Sequence, residues 1–213
     1  MAKYSKIPEA TIRRLSNYLK CLERFEFQNE KVISSTELAS LCNVNPAQVR
    51  KDFAYFGEFG IRGMGYNIKS LKDHIKEILG INREWRIVVV GIGNMGSALL
   101  VYKDFLKQNY RIVAAFDIDP TTVIGRISER MGKPVEILHP DRLQEVVKAR
   151  GIEVGIITTP PQEAQKVADQ LATAGVKGIL NLSPTPVKAQ PPVKVRNFFF
   201  TAALDSLVYS LTN

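Results

Sequence analysis

The sequence predicts an α/β protein in which a small helical domain precedes a larger domain built on a parallel sheet. In residues 1–80 the apolar side chains recur at helical spacing. After Trp85, short apolar runs alternate with helical stretches, as in a parallel sheet with helical crossovers. A chain of 213 residues has room for these two domains and not for an added substrate-binding domain. The expected boundaries are 1–80, 81–200 and 201–213, the last being a C-terminal helix.

Four helices are expected in residues 1–80. The second begins at a capping box formed by Ser34 and Glu37, and the third begins with Asn45 as its cap and Pro46 in its first position. The fourth ends at Gly80. Because only a short turn separates the second and third helices, the pair has the proportions of a helix-turn-helix.

The third helix is the candidate recognition helix of a DNA-binding domain. Gln48, Arg50 and Lys51 lie near its N-terminal half, where side chains reach base edges or phosphates in a major groove. Glycines in the following segment suit a tight hairpin, with Arg62 at the tip, placed to enter a minor groove. A helical adaptor that binds protein would show the same periodicity. The net charge of +8 does not decide between them, since both domains share it equally.

The larger domain is expected to contain five strands and three helices before the C-terminal helix. The predicted strands are Ile87–Val90, Ile112–Phe116, Val154–Thr158, Gly178–Leu182 and Val195–Phe200. The predicted helices are Met95–Lys107, Arg142–Ala149 and Glu163–Ala174. The C-terminal helix has an apolar face formed by Leu204, Leu207, Val208 and Leu211.

A glycine-rich turn joins the first of these strands to the helix that follows. Gly91, Gly93 and Gly96 permit, in that order, a tight turn, close approach of a pyrophosphate and close packing of the helix on the sheet. Asp117 ends the next strand, where a carboxylate accepts hydrogen bonds from the adenosine ribose and disfavours a 2′-phosphate. The pattern predicts a site for NAD(H) rather than NADP(H), against the alternative of a turn that binds nothing.

No side chain of this domain is clearly placed as the acid or base of a dehydrogenase. His74 is expected on the surface of the fourth helix and His139 in a loop, while Tyr102 is conceivable in a catalytic role. A site that binds NAD(H) without a clearly placed catalytic acid or base indicates a protein that senses the dinucleotide. The alternative is a small NAD(H)-dependent oxidoreductase with a helical oligomerisation domain.

The remaining composition fits a cytoplasmic protein. Cys21 and Cys42 are too few for a disulfide framework and suit buried, reduced thiols, and no Cys or His cluster predicts a metal. The first residues lack the apolar core of a signal peptide. The most apolar window is interrupted by glycines and cannot be a membrane span.

Several segments of the sequence resemble those of the redox-sensing transcriptional repressor family Rex. The match runs in the same order over nearly the whole chain, and the segment Gln48–Tyr66 is its most specific part. The matching segments are Lys6–Ala10, Gln48–Tyr66, Gly91–Gly96, Phe116–Pro120, Thr158–Pro160, Ala164–Gln165 and Gly175–Asn181.

The resemblance implies a homodimer of winged-helix and Rossmann domains that binds palindromic operator DNA and leaves it when NADH binds. It implies DNA contacts from Gln48, Arg50, Lys51, Tyr55, Gly60, Arg62 and Gly63. It implies NAD(H) contacts from Gly91, Ile92, Gly93, Asn94, Met95, Gly96, Tyr102, Asp117, Ile118, Thr158, Thr159 and Pro160. The C-terminal helix of one subunit would insert between the two domains of the other.

Two positions depart from the pattern of that family. An arginine of the pattern is replaced here by Lys20, and an aspartate by Phe199. The resemblance implies that this arginine and this aspartate form a polar network with Tyr102, and that the network couples the nicotinamide to domain orientation. Lys20 keeps the charge without the bidentate geometry of a guanidinium, and Phe199 cannot accept a hydrogen bond. The sequence therefore predicts that NADH and DNA binding are coupled differently or more weakly.

Overall fold

The computed structural model describes residues 7–25, 31–57, 60, 64–102, 104–121 and 135–212. It divides into two compact units, Met1–Arg83 and Glu84–Asn213. Among the described residues, no helix is both long enough and apolar enough to cross a membrane.

The N-terminal unit is a winged helix-turn-helix. Its described elements are α1 (Glu9–Phe25), β1 (Val32–Ile33), α2 (Ser35–Leu41), α3 (Pro46–Ala54), β2 (Tyr66–Asn67) and α4 (Ile68–Leu79). The two short strands pair antiparallel, with Val32 opposite Asn67 and Ile33 opposite Tyr66. Apolar side chains from all four helices form its core, chiefly Leu15, Leu19, Leu22, Leu38, Val49, Phe53, Leu71 and Ile75.

The expected helix caps of this unit are present. Ser34 and Glu37 bond each other's backbone N–H groups at the start of α2, and the Asn45 side chain accepts from the backbone N–H of Ala47 at the start of α3. Gly80 ends α4 in the left-handed conformation, with φ 69°. The Asn45 cap fixes the start of α3, which is the predicted recognition helix.

The C-terminal unit is built on a six-stranded sheet in which all neighbouring strands are parallel. Its strands are β3 (Trp85–Val90), β4 (Tyr110–Phe116), β5 (Ile137–Leu138), β6 (Val154–Ile157), β7 (Gly178–Asn181) and β8 (Lys194–Asn197). Its helices are α5 (Asn94–Leu100), α6 (Asp104–Lys107), α7 (Leu143–Ala149), α8 (Pro161–Ala174) and α9 (Phe200–Thr212). The spatial order is β5-β4-β3-β6-β7-β8, which is the Rossmann order, so the predicted fold class is confirmed.

Alternation along β3 gives the sheet two buried faces. Val88 and Val90 belong to a core cluster with apolar residues of α7 and α8, whereas Ile87 and Val89 belong to a second cluster that includes Ile92. Both faces are buried because helices cover them, as expected for a parallel sheet. The strand order reverses between β3 and β6, because the chain adds strands first on one side of β3 and then on the other. The carboxyl ends of these two strands therefore border the crevice where Rossmann domains bind ligands.

Two predicted elements of this unit differ clearly from those observed, and one observed strand was not predicted. The helix predicted over Met95–Lys107 is two helices, because α5 ends at Leu100 and α6 begins at Asp104; the Tyr102 ring packs on Phe105 with centroids 5.3 Å apart, which continues the apolar pattern across the break. The strand predicted to reach Phe200 ends at Asn197, since Phe200 already belongs to α9. The two-residue strand β5 was not predicted, because two residues carry no periodicity.

The two cysteines are less buried than expected. Cys21 on α1 and Cys42 at the end of α2 are both half-buried free thiols. Burial raises the pKa of the Cys42 thiol, and the neighbouring Cys21 raises it further. Both effects favour the protonated, unreactive form.

Candidate nucleic-acid interface and dinucleotide site

Helix α3 presents one continuous exposed face. The exposed residues are Ala47, Arg50, Lys51, Ala54 and, at the C-terminal cap, Tyr55. Their spacing of three and four residues places them on one side of the helix, opposite the buried Val49, Asp52 and Phe53. Two cations, a tyrosine and two small residues form a surface that suits close approach to a polyanion.

The two cations of this face differ in what holds them. The Arg50 guanidinium donates a hydrogen bond of 2.9 Å from Nη1 to Ser35 Oγ, which orients it toward the start of α2. Lys51, the next residue along the helix, is exposed. A hydrogen-bonded guanidinium next to an exposed ammonium suits one oriented contact and one general contact with phosphate.

A buried carboxylate lies on the opposite side of α3. Asp52 is completely buried and accepts five hydrogen bonds. The Arg14 guanidinium of α1 approaches both of its oxygens, at 2.6 and 2.7 Å, and Tyr18 Oη donates at 2.8 Å. Thr11 Oγ1 donates at 3.1 Å and Gln48 Nε2 at 2.9 Å. These five residues, named here the Asp52 cluster, tie α3 to α1.

The cluster keeps Asp52 ionised. Burial acts to raise the pKa of the Asp52 carboxyl, but the hydrogen bonds from Arg14, Tyr18 and Gln48 outweigh it and hold that pKa below its usual range. Burial and the bond to Asp52 raise the pKa of Tyr18, so its phenol remains a donor. A paired and fully hydrogen-bonded charge is the arrangement that a buried carboxylate requires.

Sequence reasoning missed Asp52 and the contact that it makes with Gln48. Gln48 is half-buried and its amide nitrogen is bonded to Asp52, so it is not a freely exposed reader. A signal was present in the sequence, because Asp52 stands at helical spacing between the apolar Val49 and Phe53. A lone carboxylate on a buried helix face requires cationic partners, although the sequence alone does not identify Arg14 as one.

The predicted wing is only partly described. Gly60 lies so close to Gly65 that a Cβ at Gly60 would sit 2.7 Å from the Gly65 carbonyl oxygen. Gly60 and Gly65 are therefore packed closely against each other. Arg62 and Gly63 lie outside the described residues, and their predicted DNA contacts stay a prediction.

The glycine turn has the close packing that its sequence pattern requires. Gly91 has φ +91°, and a Cβ there would lie 2.9 Å from the backbone nitrogen of Thr159. A Cβ at Gly96 would lie 2.1 Å from the Gly91 carbonyl oxygen. At Gly93 a Cβ would meet no described atom within 4 Å. The outer two glycines therefore serve packing, whereas the middle one borders open space of the kind a pyrophosphate needs.

Asp117 follows β4 directly and is hydrogen-bonded to the glycine turn. Its Oδ2 accepts from the backbone N–H of Ile92 at 2.7 Å, and its Oδ1 accepts from the backbone N–H of Asp119 at 3.0 Å. Each carboxylate oxygen keeps further acceptor capacity. The carboxylate is therefore positioned by backbone groups in the place where a ribose is expected.

A cavity of about 580 Å³ lies along the carboxyl ends of β3, β4, β5 and β6. Of the predicted cofactor residues, the cavity brings together Gly91, Gly93, Asp117, Ile118, Thr158, Thr159 and Pro160. It is also lined by residues that were not predicted, namely Val90, Phe116, His139, Pro140, Asp141, Glu163, Lys166, Val167 and Gln170. Its volume suits a small-molecule ligand.

Thr158 and Thr159 behave differently at this cavity. Thr158 Oγ1 donates within the sheet crevice, to the carbonyl oxygens of Val90 and Gly91. Thr159 Oγ1 is buried and, within the described part of the chain, has no hydrogen-bond partner. A buried hydroxyl without a partner loses free energy, so a polar ligand group at the cavity wall would satisfy it. These residues fit a dinucleotide.

The other predicted cofactor residues lie around the glycine turn or away from the cavity. Ile92 is buried beneath the turn, whereas Asn94 and Met95 are exposed in the first turn of α5. Tyr102 does not line the cavity; it is half-exposed and its hydroxyl donates to Asp104 at 3.2 Å. His139, expected in a loop, accepts a long hydrogen bond of 3.4 Å from the backbone N–H of Asp141 and caps a short 3₁₀ turn.

Helix α9 presents a long apolar surface. All of its residues whose exposure is described are exposed, including Phe200, Leu204, Leu207, Val208 and Leu211. These five residues recur at spacings of three and four, and so share one helix face. An exposed apolar stripe of this length indicates an interaction surface.

Comparison with known proteins finds relatives for both units of the chain. The family model described as "Putative DNA-binding protein N-terminus" matches residues 6–54, and the model described as "CoA binding domain" matches residues 82–185. The redox-sensing transcriptional repressor Rex of Syntrophobacter fumaroxidans is 49% identical over 210 residues, which covers 99% of this chain and 98% of that protein. Rex of Carboxydothermus hydrogenoformans is 47% identical and covers 97% of both chains.

Solved structures agree with the sequence relatives. The structure titled "Crystal structure of RSP in complex with beta-NAD+ and operator DNA" superposes with a TM-score of 0.86 at 32% identity, covering 97% of this chain and 93% of that one. The structure of RSP in complex with beta-NADH superposes with a TM-score of 0.81 at 30% identity, covering 97% and 95%. With near-complete coverage at up to 49% identity, the chain belongs to the Rex family of redox-sensing transcriptional repressors.

Proposed function

We propose that this chain is a repressor that binds operator DNA through its N-terminal unit and responds to NAD(H) bound by its C-terminal unit. The observation that carries the proposal is that one chain combines the exposed basic face of α3 with a glycine turn at the sheet crevice and Asp117 beside it. Relatives with nearly the same length are named redox-sensing repressors, and RSP was crystallised with NAD+ and operator DNA.

Residues 1–80 would form the DNA-binding domain. Arg50, Lys51 and Tyr55 would contact the major groove from the exposed face of α3, with Gln48 beside them. Gly60, Arg62 and Gly63 would belong to the wing. Recognition helices read base edges with their first turns while basic residues contact phosphate, and this face has both kinds of group.

Residues 81–200 would bind NAD(H). The pyrophosphate would be held by Gly91, Gly93, Asn94 and Met95. The ribose would be held by Asp117 and Ile118. The part of the crevice that holds the nicotinamide would be lined by Thr158, Thr159 and Pro160. The cofactor would supply a nicotinamide ring whose charge and planarity differ between NAD+ and NADH. Such a difference shifts a conformational equilibrium only if the protein binds the two forms unequally in its two states.

The apolar face of α9 supports assembly as a homodimer. Residues 201–213 would pair with a second copy of the chain, which would cover Leu204, Leu207, Val208 and Leu211. A dimer would present two recognition helices to the two half-sites of a palindromic operator. A change in the relative orientation of the two readers would then weaken operator binding, and this is how NADH would release the DNA.

We further propose that the chain is a regulator in the cytoplasm and not an enzyme. His139, the histidine at the cavity, caps a turn through its Nδ1 and lies against Asp141. Incubation of the protein with NADH and simple carbonyl compounds should therefore show no oxidation of NADH. Sustained oxidation of NADH would favour the oxidoreductase alternative instead.

Selection of duplex DNA from a random pool by the purified full-length chain tests the proposal. We expect recovery of a palindromic duplex whose affinity falls steeply with rising salt, because lysine and arginine contacts to phosphate release counterions. We expect weaker binding of that duplex in NADH than in NAD+. Failure to enrich any duplex in either dinucleotide would contradict the proposal and favour a protein-binding adaptor.

A further inference from the structure

Gln48 lies where the buried and exposed faces of α3 meet. It is the third residue of the helix, half-buried, with the exposed Ala47 and Lys51 on one side and the buried Asp52 one turn further along. First-turn residues of a recognition helix are those that reach base edges. The side chain of Gln48 therefore lies close to a bound groove while its amide contacts the protein interior.

The contact with Asp52 fixes which way this amide faces. Gln48 Nε2 donates to Asp52 Oδ1 at 2.9 Å, and an ionised carboxylate accepts hydrogen bonds only. The negative charge repels the amide oxygen. We infer that the N–H lying trans to Oε1 is the one that donates to Asp52, which leaves the edge carrying Oε1 and the second N–H for a bonding partner.

The Asp52 cluster makes this orientation rigid. Both oxygens of Asp52 are held by the Arg14 guanidinium, and Thr11 and Tyr18 donate one bond each. Asp52 has no exposed surface, so water does not compete for these bonds. A side chain held in its binding orientation before the partner arrives loses little conformational entropy on binding.

The outward edge of Gln48 is a donor beside an acceptor. In the major groove adenine presents the complementary pair, an N7 acceptor beside an N6 donor, and a glutamine amide pairs with both. A guanine offers two acceptors and would leave Oε1 without a donor.

Resting on the proposed function, we propose that Asp52 is a positioning residue that fixes the Gln48 amide so that Gln48 reads one adenine in each operator half-site. Asp52 itself would not touch the DNA. Its effect on specificity would pass through Gln48, while its bonds to Arg14 and Tyr18 hold the helix.

The test compares base preferences and not only affinities. The duplex selected by the wild-type chain is varied at each half-site position, and binding is measured for the wild type and for Gln48→Ala, Asp52→Asn and the double variant. We expect Gln48→Ala to lose a preference for adenine at one position by about tenfold. Asp52→Asn should lose the same preference at the same position, and the double variant should lose no more.

A stability-matched control separates positioning from folding. Tyr18→Phe removes a bond to Asp52 Oδ2 and leaves the oxygen used by Gln48, so it should weaken the fold while retaining the adenine preference. Equal weakening on all bases in Asp52→Asn, or an unchanged base preference in Gln48→Ala, would overturn the inference. If no duplex is selected by the wild type, the proposed function fails first.

A measurement on the wild-type chain serves if Asp52→Asn does not fold. The side-chain NH₂ protons of Gln48 in the full-length chain, followed by NMR without DNA, should show one proton shifted downfield and slow to exchange with solvent. Tyr18→Phe should keep that signal. Two rapidly exchanging protons, as in an exposed glutamine, would overturn the inference.

Discussion

The two units hold their functional residues by different means. In the N-terminal unit the recognition helix is fixed by side chains, since the buried carboxylate of Asp52 is bonded by Arg14, Tyr18, Thr11 and Gln48. In the C-terminal unit the glycine turn is fixed by the backbone, since a Cβ at Gly91 or Gly96 would clash with main-chain atoms. One arrangement depends on charge and hydrogen bonding, the other on the absence of side chains.

This difference predicts how each site responds to change. A network of ionised and hydrogen-bonded groups loses stability when one partner is removed, because the groups bonded to it stay buried without that partner. A glycine turn tolerates changes in charge and fails when volume is added. We therefore expect substitutions that alter charge to lower the stability of the N-terminal unit most, and substitutions that add volume at the glycine turn to lower the stability of the C-terminal unit most.

The largest effect is expected for Asp52→Ala in the N-terminal unit. Removing the carboxylate leaves the Arg14 charge partly buried without its partner, which should cost about 3–5 kcal/mol of unfolding free energy. Hydrogen-exchange mass spectrometry of α1 and α3 measures this loss separately from the C-terminal unit. Asp73→Ala, on the exposed face of α4, is the matched control and should change little. Equal protection in both variants would contradict the role of the cluster.

The next effect concerns volume at the glycine turn. Gly96→Ala places a Cβ 2.1 Å from the Gly91 carbonyl oxygen and should destabilise the C-terminal unit by about 1–3 kcal/mol. Gly93→Ala meets no described atom within 4 Å and should leave stability unchanged, yet weaken NADH binding about tenfold, or 1.4 kcal/mol. Thermal unfolding and fluorescence titration with NADH measure the two effects. If Gly93→Ala bound NADH with wild-type affinity, the pyrophosphate would not bind at Gly93.

A smaller effect is expected when charge alone changes in the C-terminal unit. Asp117→Asn keeps an acceptor for the Ile92 N–H but loses the charge that disfavours a 2′-phosphate. We expect the ratio of NADH to NADPH affinity to fall about tenfold, which corresponds to 1.4 kcal/mol. Paired titrations with both dinucleotides measure the ratio, and Asp141→Asn at the same cavity is the control. An unchanged ratio in Asp117→Asn would show that selectivity arises elsewhere.

The smallest effect is the pH dependence of the N-terminal unit. The pKa of Asp52 is lowered in the folded chain, so its stabilisation is present above about pH 4 and is lost as the pH falls below that value. The pKa of Tyr18 is raised, so its stabilisation is present below about pH 10 and is lost above it. Urea unfolding between pH 3 and 11 should therefore show a plateau bounded on both sides. Tyr18→Phe should abolish only the loss of stability at alkaline pH. If that loss persisted in the variant, another titrating group would be its cause.

The features predicted from the sequence are those that depend on local pattern. The caps at Ser34, Glu37 and Asn45, the glycine turn and the position of Asp117 after a strand each follow from neighbouring residues, and the structure shows them as predicted. The Rossmann strand order followed because regular alternation of strands and helices allows few topologies.

The features that were missed depend on residues distant in sequence. Asp52 and Arg14 are 38 positions apart, and no local pattern links them. The cavity wall formed by His139, Glu163 and Lys166 depends on the two-residue strand β5, which is too short to be recognised, and on the packing of α8. The break between α5 and α6 was hidden because Tyr102 and Phe105 continue the apolar spacing through it.

Reciprocal coupling between the two sites tests the central claim most directly. The affinity for the selected operator is measured without dinucleotide, in saturating NADH and in saturating NAD+, and the affinity for NADH is measured with and without operator. We predict that NADH weakens operator binding and that operator weakens NADH binding by the same factor, as linkage requires. The resemblance to the Rex family implies an arginine where this chain has Lys20 and an aspartate where it has Phe199, so we propose that this factor rises in the double variant Lys20→Arg, Phe199→Asp. Operator affinity that is identical in NADH and NAD+ for both chains would contradict the account.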